Sequence, residues 1–170
     1  MTGLVPVAGS YEPAKAAKVS DILQLVTFVL GNEEYAVDIL KVQEINRMKE
    51  ITRVPNSPEY VEGVINLRGK VIPVVSLRKK FSLEERENDI QSRIMIMDIQ
   101  GITMGLVVDA VSEVLRVPES IVEPAPPMAS SISSEFIKGI AKLEDRLIIL
   151  LDMDRLIGKN EDIALLEAGK

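Results

Sequence analysis

The sequence repeats itself, and this internal repeat limits the folds that the chain can adopt. The segment YVEGVINLRGKVIPVVSLRKKF (residues 60–81) aligns without a gap with FIKGIAKLEDRLIILLDMDRLI (residues 136–157). Upstream, QLVTFVLGNEEYAVDILKVQEI (residues 24–45) aligns with RIMIMDIQGITMGLVVDAVSEV (residues 93–114). Self-similarity of this kind is the signature of a duplicated structural unit. The chain therefore contains two related repeats.

The repeats divide the chain into parts. We predict a flexible N-terminal arm (1–20), a first repeat (22–81), a second repeat (91–157) and a C-terminal tail (158–170). A polar connector, SLEEREND, joins the repeats. The tail contains NEDIALLEAGK, in which a capping asparagine precedes apolar residues on one face. This pattern predicts a short helix docked on the rest of the fold.

Each repeat has a β pattern. LVTFVL and YAVDI flank the turn-forming segment GNEE, and RIMIMDI and ITMGLVV flank QG, so both segments read as hairpins. With the later hairpin VINLRGKVIPVV and its counterpart, each repeat has about five short strands. A sheet that small hides its edges best by curling into a barrel. The sequence predicts an all-β fold of two small five-stranded barrels packed together, with short helical turns; exchange of strands between the barrels stays open.

The charge balance argues against nucleic-acid binding. The chain carries 26 acidic and 20 basic side chains, a net charge of −6, and it has no dense basic run. A nucleic-acid interface needs a basic stripe that neutralises phosphates. We therefore expect no nucleic-acid partner.

Missing residue types limit the chemistry further. The sequence contains no histidine, cysteine or tryptophan, so the usual ligands of zinc, iron–sulfur clusters and haem are absent, as is the commonest general base. No disulfide can form, which fits a cytoplasmic protein. The first residues lack a signal-peptide pattern, and the apolar run 147–151 is far shorter than the roughly 20 residues of a membrane helix. We expect a soluble chain without membrane insertion. Among common metal sites, this composition leaves open only those for oxygen-liganded ions such as Mg²⁺ or Ca²⁺, and we predict no metal, cofactor or catalytic residue.

Comparison of the repeats singles out one hairpin tip. Gly69 lies opposite Asp145 in the alignment, and both residue types tolerate the positive φ of a tight turn. Arg68 lies opposite Glu144, so its charge is reversed in the second repeat. Two interpretations stay open: a solvated turn charge, or a contact with a partner.

An apolar residue beside an acid recurs in both repeats. If the run VQEI is extended, Val42 and Glu44 share one face. We expect Ile45 to face inward, which leaves Val42 exposed beside a carboxylate. Val111 and Glu113 repeat the arrangement. Two such strips favour a partner surface.

The same strips raise the question of charge pairing. Glu44 could pair with Arg68, whereas the second-repeat equivalents, Glu113 and Glu144, cannot pair with each other. An exposed pair adds only about 0–1 kcal/mol of stability. Its expected value is to orient groups that meet a partner.

The motifs LGNEEYAVDILKVQEI, GVINLRGKVIPVVSLR and GLVVDAVSEVL together resemble the bacterial chemotaxis coupling family, CheW, from about residue 22 to residue 157. The resemblance implies two SH3-like barrels and no catalysis. It also implies a scaffold that links the cytoplasmic tips of chemoreceptors to the histidine kinase CheA, whose regulatory domain is CheW-like. Heterologous contacts between such domains can close into rings, which build receptor arrays. It further implies a monomer in isolation, located in the cytoplasm and recruited to the inner face of the membrane.

The resemblance also implies which residues matter. Partner contact, with kinase or receptor left undivided, is expected at five positions: Val42, Glu44, Arg68, Val111 and Val114. Gly63, which recurs as Gly139, and Gly69 are expected to be structural residues near this surface.

Two other functions are less consistent with the sequence. An enzyme based on carboxylates would need acids clustered in a cleft, but Asp38, Asp98, Asp109 and Asp152 are dispersed, and we expect them to be strand-end or turn acids. An oligonucleotide-binding barrel needs stacking aromatics and a basic groove, whereas this chain has three Phe and three Tyr.

Overall fold

Short strands joined by tight turns make up most of the structure, a computed structural model that describes residues 21–124 and 134–157. The predicted N-terminal arm and tail helix lie outside the described residues. The strands are β1 (Ile22–Leu30), β2 (Glu33–Asp38), β3 (Val42–Arg47), β4 (Val61–Leu67), β5 (Lys70–Ser76), β6 (Arg93–Ile99), β7 (Ile102–Val108), β8 (Ala110–Pro118), β9 (Val122–Glu123), β10 (Ile137–Leu143) and β11 (Arg146–Leu151). The helices are α1 (Leu77–Lys80), α2 (Met153–Ile157) and the 3₁₀ turns Ile39–Lys41, Glu119–Ile121 and Ser134–Phe136. Among the described helices none has the length and apolarity needed to cross a membrane.

The strands form two sheets, and each sheet combines strands of both sequence repeats. The five-stranded sheet has the order β3-β6-β7-β5-β4, and the six-stranded sheet has the order β9-β10-β11-β2-β1-β8. The hairpin β1–β2 of the first repeat therefore pairs with strands of the second repeat, and the hairpin β6–β7 pairs with strands of the first. The chain passes from one sheet to the other at residues 39–41 and at Asp109.

The predicted all-β fold with short helices is confirmed, although the barrels predicted with five strands each are not closed. Each described sheet is open, and one has six strands because the two-residue β9 pairs with β10. No described ladder joins β3 to β4. Instead, the side chains of Arg68 and Glu44 connect these outer strands. A bulge at the start of β3 interrupts its pairing with β6.

Three hydrophobic clusters hold the fold together. A main core lies between the sheets, and each sheet has a smaller cluster on its other face. Strand β6 contributes to two of them, because successive side chains of a strand point to opposite faces. Met95 and Met97 lie in the main core, whereas Ile94 and Ile96 lie in the cluster of the five-stranded sheet. Burial on both faces explains the nearly continuous apolar run RIMIMDI.

Two glycines occupy equivalent bulges in the two repeats. The ladder β4–β5 shifts register next to Gly63, and the ladder β10–β11 shifts next to Gly139. A Cβ atom at position 63 would lie 2.1 Å from the carbonyl oxygen of Thr52, and one at position 139 would lie 2.5 Å from Cγ1 of Val122. The backbone or side chain of a neighbouring segment therefore fills the space that a side chain would need.

Candidate functional site

The tip of the β4–β5 hairpin is a tight turn with Arg68 and Gly69 at its centre. Both residues have positive φ, 52° and 85°, and Asn66 Oδ1 accepts a hydrogen bond of 2.9 Å from the Gly69 N–H. The β6–β7 turn has the same construction, with Gln100 in the place of the arginine and a capping aspartate two residues before it. Because a glutamine serves equally well in that turn, the turn does not require the charge of Arg68.

The β10–β11 turn is built differently. Neither Glu144 nor Asp145 has positive φ, so the expected backbone match between Asp145 and Gly69 is wrong. The second repeat therefore reverses the charge of Arg68 in a turn of different geometry.

Arg68 pairs with Glu44 across the gap between β4 and β3. Its Nη1 donates to Glu44 Oε1 at 3.4 Å, and its Nη2 contacts Oε2. The Arg68 side chain is 70% exposed, and that of Glu44 is 28% exposed. The hydrogen bond from Arg68 lowers the pKa of Glu44 below its ordinary value, and the same bond raises the pKa of Arg68. The pair is therefore fully charged and accessible from one side.

The second repeat has its own ion pair, which the sequence comparison missed. Arg146 Nη2 donates to Glu113 Oε2 at 2.7 Å and to Glu34 Oε2 at 2.7 Å. The hydrogen bond to Glu34, followed by the one to Glu113, raises the pKa of Arg146. Glu113 thus has a cationic partner other than the residue opposite Arg68, because Arg146 stands opposite Lys70 in the alignment. The alignment did carry a signal for this cation, because positions 70 and 146 both hold a basic residue.

Strand β3 has a bulge between Val42 and Glu44, and its side chains differ in burial. Val42 lies opposite Met97 and Ile45 lies opposite Met95, so four residues of β3 span three residues of β6. Directly opposed residues share a face, and both methionines belong to the main core. Val42 is partly buried against that core, whereas Ile45 is 39% exposed. The expectation that Ile45 faces inward and Val42 outward is wrong. Burial alternates along β3, but Val42 and Glu44 belong to the more buried set, whereas Ile45, although it lies opposite Met95, belongs to the exposed set.

Strand β8 repeats this arrangement on the six-stranded sheet. Val111 lies opposite Phe28 and Val114 lies opposite Val26, with a register shift between the two pairs. Val111 packs partly buried against the main core, whereas Val114 is 56% exposed. Both outer strands therefore carry one apolar side chain anchored in the core and a second that extends the apolar surface into solvent.

These observations define two equivalent surfaces. Docking edge one consists of Val42, Glu44, Ile45 and Arg68, and docking edge two consists of Val111, Glu113, Val114 and Arg146. Next to the cations, Val71 and Leu147 occupy equivalent positions and are 51% and 58% exposed. Each edge thus combines exposed apolar side chains with a charged pair, a composition suited to a protein partner.

The dispersed aspartates have local structural roles. Asp38, Asp98 and Asp152 each accept a hydrogen bond from a backbone N–H two or three residues later in the chain. Asp152 does at α2 what Ser76, its equivalent, does at α1. Asp109 is buried and bound by Arg78. In the part of the chain that the structure describes, no group of three or more acidic residues is placed to hold a metal ion.

A pocket of about 410 Å³ in the six-stranded sheet includes three aspartates in its lining. Asp38 and Asp152 are engaged by the backbone N–H groups of Leu40 and Arg155, and Asp154 pairs with Lys41 at 3.4 Å. Each of these three aspartates therefore already has a partner within the fold.

Known proteins are similar to this chain in sequence and in fold. The family model described as "CheW-like domain" matches residues 24–161. "Chemotaxis protein CheW" of Klebsiella aerogenes is 36% identical over 161 residues, which cover 95% of this chain and 96% of that protein. "Chemotaxis protein CheW" of Bacillus subtilis is 36% identical, and the match covers 80% of this chain and 87% of that protein. The crystal structure of scaffolding protein TtCheW from Thermoanaerobacter tengcongensis superposes with a TM-score of 0.75 at 43% identity, covering 81% of this chain and 89% of that one. The chain belongs to the CheW-like domain family.

Proposed function

We propose that the chain is a non-catalytic chemotaxis adaptor that couples the cytoplasmic tips of chemoreceptors to the histidine kinase CheA. Membership of the CheW-like domain family supports this proposal, as do the names of its relatives, which are chemotaxis and scaffolding proteins. The observation that carries it is the exposed pair of Glu44 and Arg68, whose charge the turn does not require.

The two docking edges supply separate surfaces for two partners. Edge one lies on the five-stranded sheet and edge two lies on the six-stranded sheet, so one partner can occupy each. Val42 and Val111 anchor the edges in the main core, which fixes the exposed Ile45 and Val114 beside the charged pairs. Preformed surfaces of this kind bind with little ordering cost.

The expected contacts are small. Interfaces of about 800 Å² or less on each side suit weak, micromolar exchange, and several such contacts gain strength together in an array. The chain then acts as a monomer in the cytoplasm and is held at the inner face of the membrane through the receptors.

Binding of each partner alone tests the proposal. Purified chain is titrated with a chemoreceptor signalling fragment and, separately, with CheA, by calorimetry. We expect both to bind, Arg68→Glu to weaken at least one, and Val114→Asp to identify the partner of edge two. A parent chain that binds neither fragment would refute the proposed function.

A further inference from the structure

The two sheets are connected by the chain at two places. At the first crossover, Ile39–Lys41 joins β2 of the six-stranded sheet to β3 of the five-stranded sheet. At the second crossover, Asp109 alone joins β7 of the five-stranded sheet to β8 of the six-stranded sheet. The contacts that hold these two crossover segments determine how the two sheets are oriented relative to each other.

The Asp109 carboxylate binds groups from both sheets and from the connector. Arg78 on α1, which follows β5, donates from Nε to Oδ1 at 2.9 Å and from Nη2 to Oδ2 at 2.8 Å. The N–H of Gly31, in the β1–β2 turn of the other sheet, donates to Oδ2 at 2.8 Å. Arg86 of the connector donates at 3.2 Å, and the Asp109 N–H donates to the carbonyl of Val29. One residue therefore ties together three segments that are distant in sequence.

This ion pair is buried and directional. The side chains of Arg78 and Asp109 are 15% and 10% exposed. Burial alone would raise the pKa of Asp109, but hydrogen bonds from Arg78 and from the Gly31 N–H outweigh it, and the pKa lies below its ordinary value. A two-pronged guanidinium–carboxylate contact fixes geometry as well as charge, and it adds a directional contact to the nonpolar packing between the sheets.

The first crossover carries the same device with the charges reversed. In the alignment of the repeats, Leu40 matches Asp109 and Asp154 of α2 matches Arg78. Lys41 Nζ lies 3.4 Å from Asp154 Oδ1, with side chains 36% and 45% exposed. Each crossover is thus linked by an ion pair to the short helix at the end of a repeat. At the first crossover, however, this ion pair is a single contact between solvent-exposed side chains. An exposed pair of this kind contributes little.

We propose that Asp109 and Arg78 are positioning residues that hold the two sheets in one orientation and thereby set the spacing between docking edge one and docking edge two. The claim about orientation concerns the free protein, and the claim about docking rests on the proposed function. Loss of the pair leaves the main core to hold the sheets, and we expect a wider range of orientations.

Distance measurements between spin labels test the orientation directly, because the sequence has no cysteine to remove. Spin labels attached at Arg47→Cys on β3 and Lys142→Cys on β10, both exposed positions, measure a distance between the two sheets. Labels at Arg47→Cys and Gln100→Cys report within the five-stranded sheet. In Asp109→Asn and Arg78→Gln we expect a broader cross-sheet distance distribution and an unchanged within-sheet one. Asp154→Asn, the matched control at the first crossover, should change neither.

A more conservative variant guards against loss of folding. Arg78→Lys keeps the charge but not the two-pronged contact, and we expect it to broaden the cross-sheet distances less than Arg78→Gln does. Broadening of both label pairs would mean general loss of structure and would contradict a specific role in orientation. A cross-sheet distribution in Asp109→Asn identical to that of the parent would overturn the proposal.

Partner binding separates this proposal from the proposed function. If the orientation in which both edges can engage their own partners falls to about a tenth of the population, formation of the ternary complex is weakened about tenfold. Binding by the parent, with unchanged distances in Asp109→Asn, would overturn the role in orientation and leave the adaptor function intact. If Asp109→Asn broadens the cross-sheet distances but the parent chain binds no partner, the role of the pair in orientation is supported and the adaptor function is overturned.

Discussion

The guanidinium of Arg68 reaches from the tip of the β4–β5 hairpin to the carboxylate of Glu44 on β3 and joins the outer strands of the five-stranded sheet. The chain itself shows that the turn does not need this arginine, since Gln100 occupies the same place in a turn of the same construction. An exposed ion pair contributes about 0–1 kcal/mol to folding. The pair is therefore better explained by what binds to it than by the stability it provides.

Reversing the charge of Arg68 tests this separation of binding from stability. We expect Arg68→Glu to weaken coupling between receptor and kinase while the free energy of unfolding stays within about 0.5 kcal/mol of the parent. Arg68→Gln places in this turn the residue type that the β6–β7 turn already uses, so it removes the charge without changing the turn. Urea unfolding and pull-down of the ternary complex measure the two effects. A large loss of stability in Arg68→Gln would show that the arginine is structural.

Exchanging the two charges of the Arg68–Glu44 pair gives a second test. In the double variant Glu44→Arg with Arg68→Glu, the ion pair can re-form with opposite polarity. If the partner reads the polarity of the pair, stability returns to the parental value and binding does not. Recovery of binding in the double variant would show that the pair stabilises the structure of docking edge one rather than contacting the partner.

The two hairpin glycines should respond very differently to alanine. At Gly63 a Cβ atom would lie 2.1 Å from the Thr52 carbonyl oxygen, and the φ of 145° is unfavourable for other residues. We expect Gly63→Ala to lose at least about 2 kcal/mol of stability or to misfold. At Gly69 nothing lies within 4 Å, so alanine there costs only the left-handed backbone strain of about 1 kcal/mol. Equal losses in denaturant unfolding would contradict the packing explanation.

The repeat in the sequence was sufficient to predict an all-β fold, because a duplicated pattern of short apolar runs and turns has few other solutions. It did not predict which strands share a sheet, since pairing of β1–β2 with β11 rather than with its own repeat depends on contacts far apart in sequence. It also did not predict open sheets, because the pattern of apolar runs does not show whether the outer strands β3 and β4 pair.

The candidate site was predicted in part. Arg68 stood out because its charge is reversed in the second repeat, and Glu44 stood out because it recurs there beside an apolar residue. The orientation of Ile45 was missed because alternation alone does not say which face of β3 is the more buried one, and the face of Val42 and Glu44 is. Arg146 was missed because the search for a partner of Glu113 was limited to the residue opposite Arg68, whereas the cation lies opposite Lys70.

The exposed valine of edge two offers a matched pair of substitutions on one strand. Val114 is 56% exposed, whereas Val117 on the same strand is 4% exposed. We expect Val114→Asp to weaken binding of one partner with little change in unfolding. Val117→Asp buries an unpaired charge and should lose about 3 kcal/mol or more. Calorimetric binding and thermal unfolding distinguish them; unaffected binding of both partners in Val114→Asp would remove this residue from the docking edge.

Acid should reduce the contribution of Asp109. Its pKa in the folded state lies below the value of about 3.9 in the unfolded chain. Its stabilisation is therefore present above about pH 4 and is lost as the pH falls through the folded-state pKa. The difference in free energy of unfolding between the parent and Asp109→Asn should shrink as the pH is lowered from about 5 to about 3. A difference independent of pH would show that the ionised carboxylate is not what stabilises the fold.

Control of kinase activity tests the central claim most directly. CheA autophosphorylation is measured with receptor-containing membranes, with and without the chain, and with Arg68→Glu in its place. We predict that receptor-dependent control of the kinase requires the chain and is strongly reduced in Arg68→Glu at equal folded concentration. Control that is the same without the chain would contradict a coupling role.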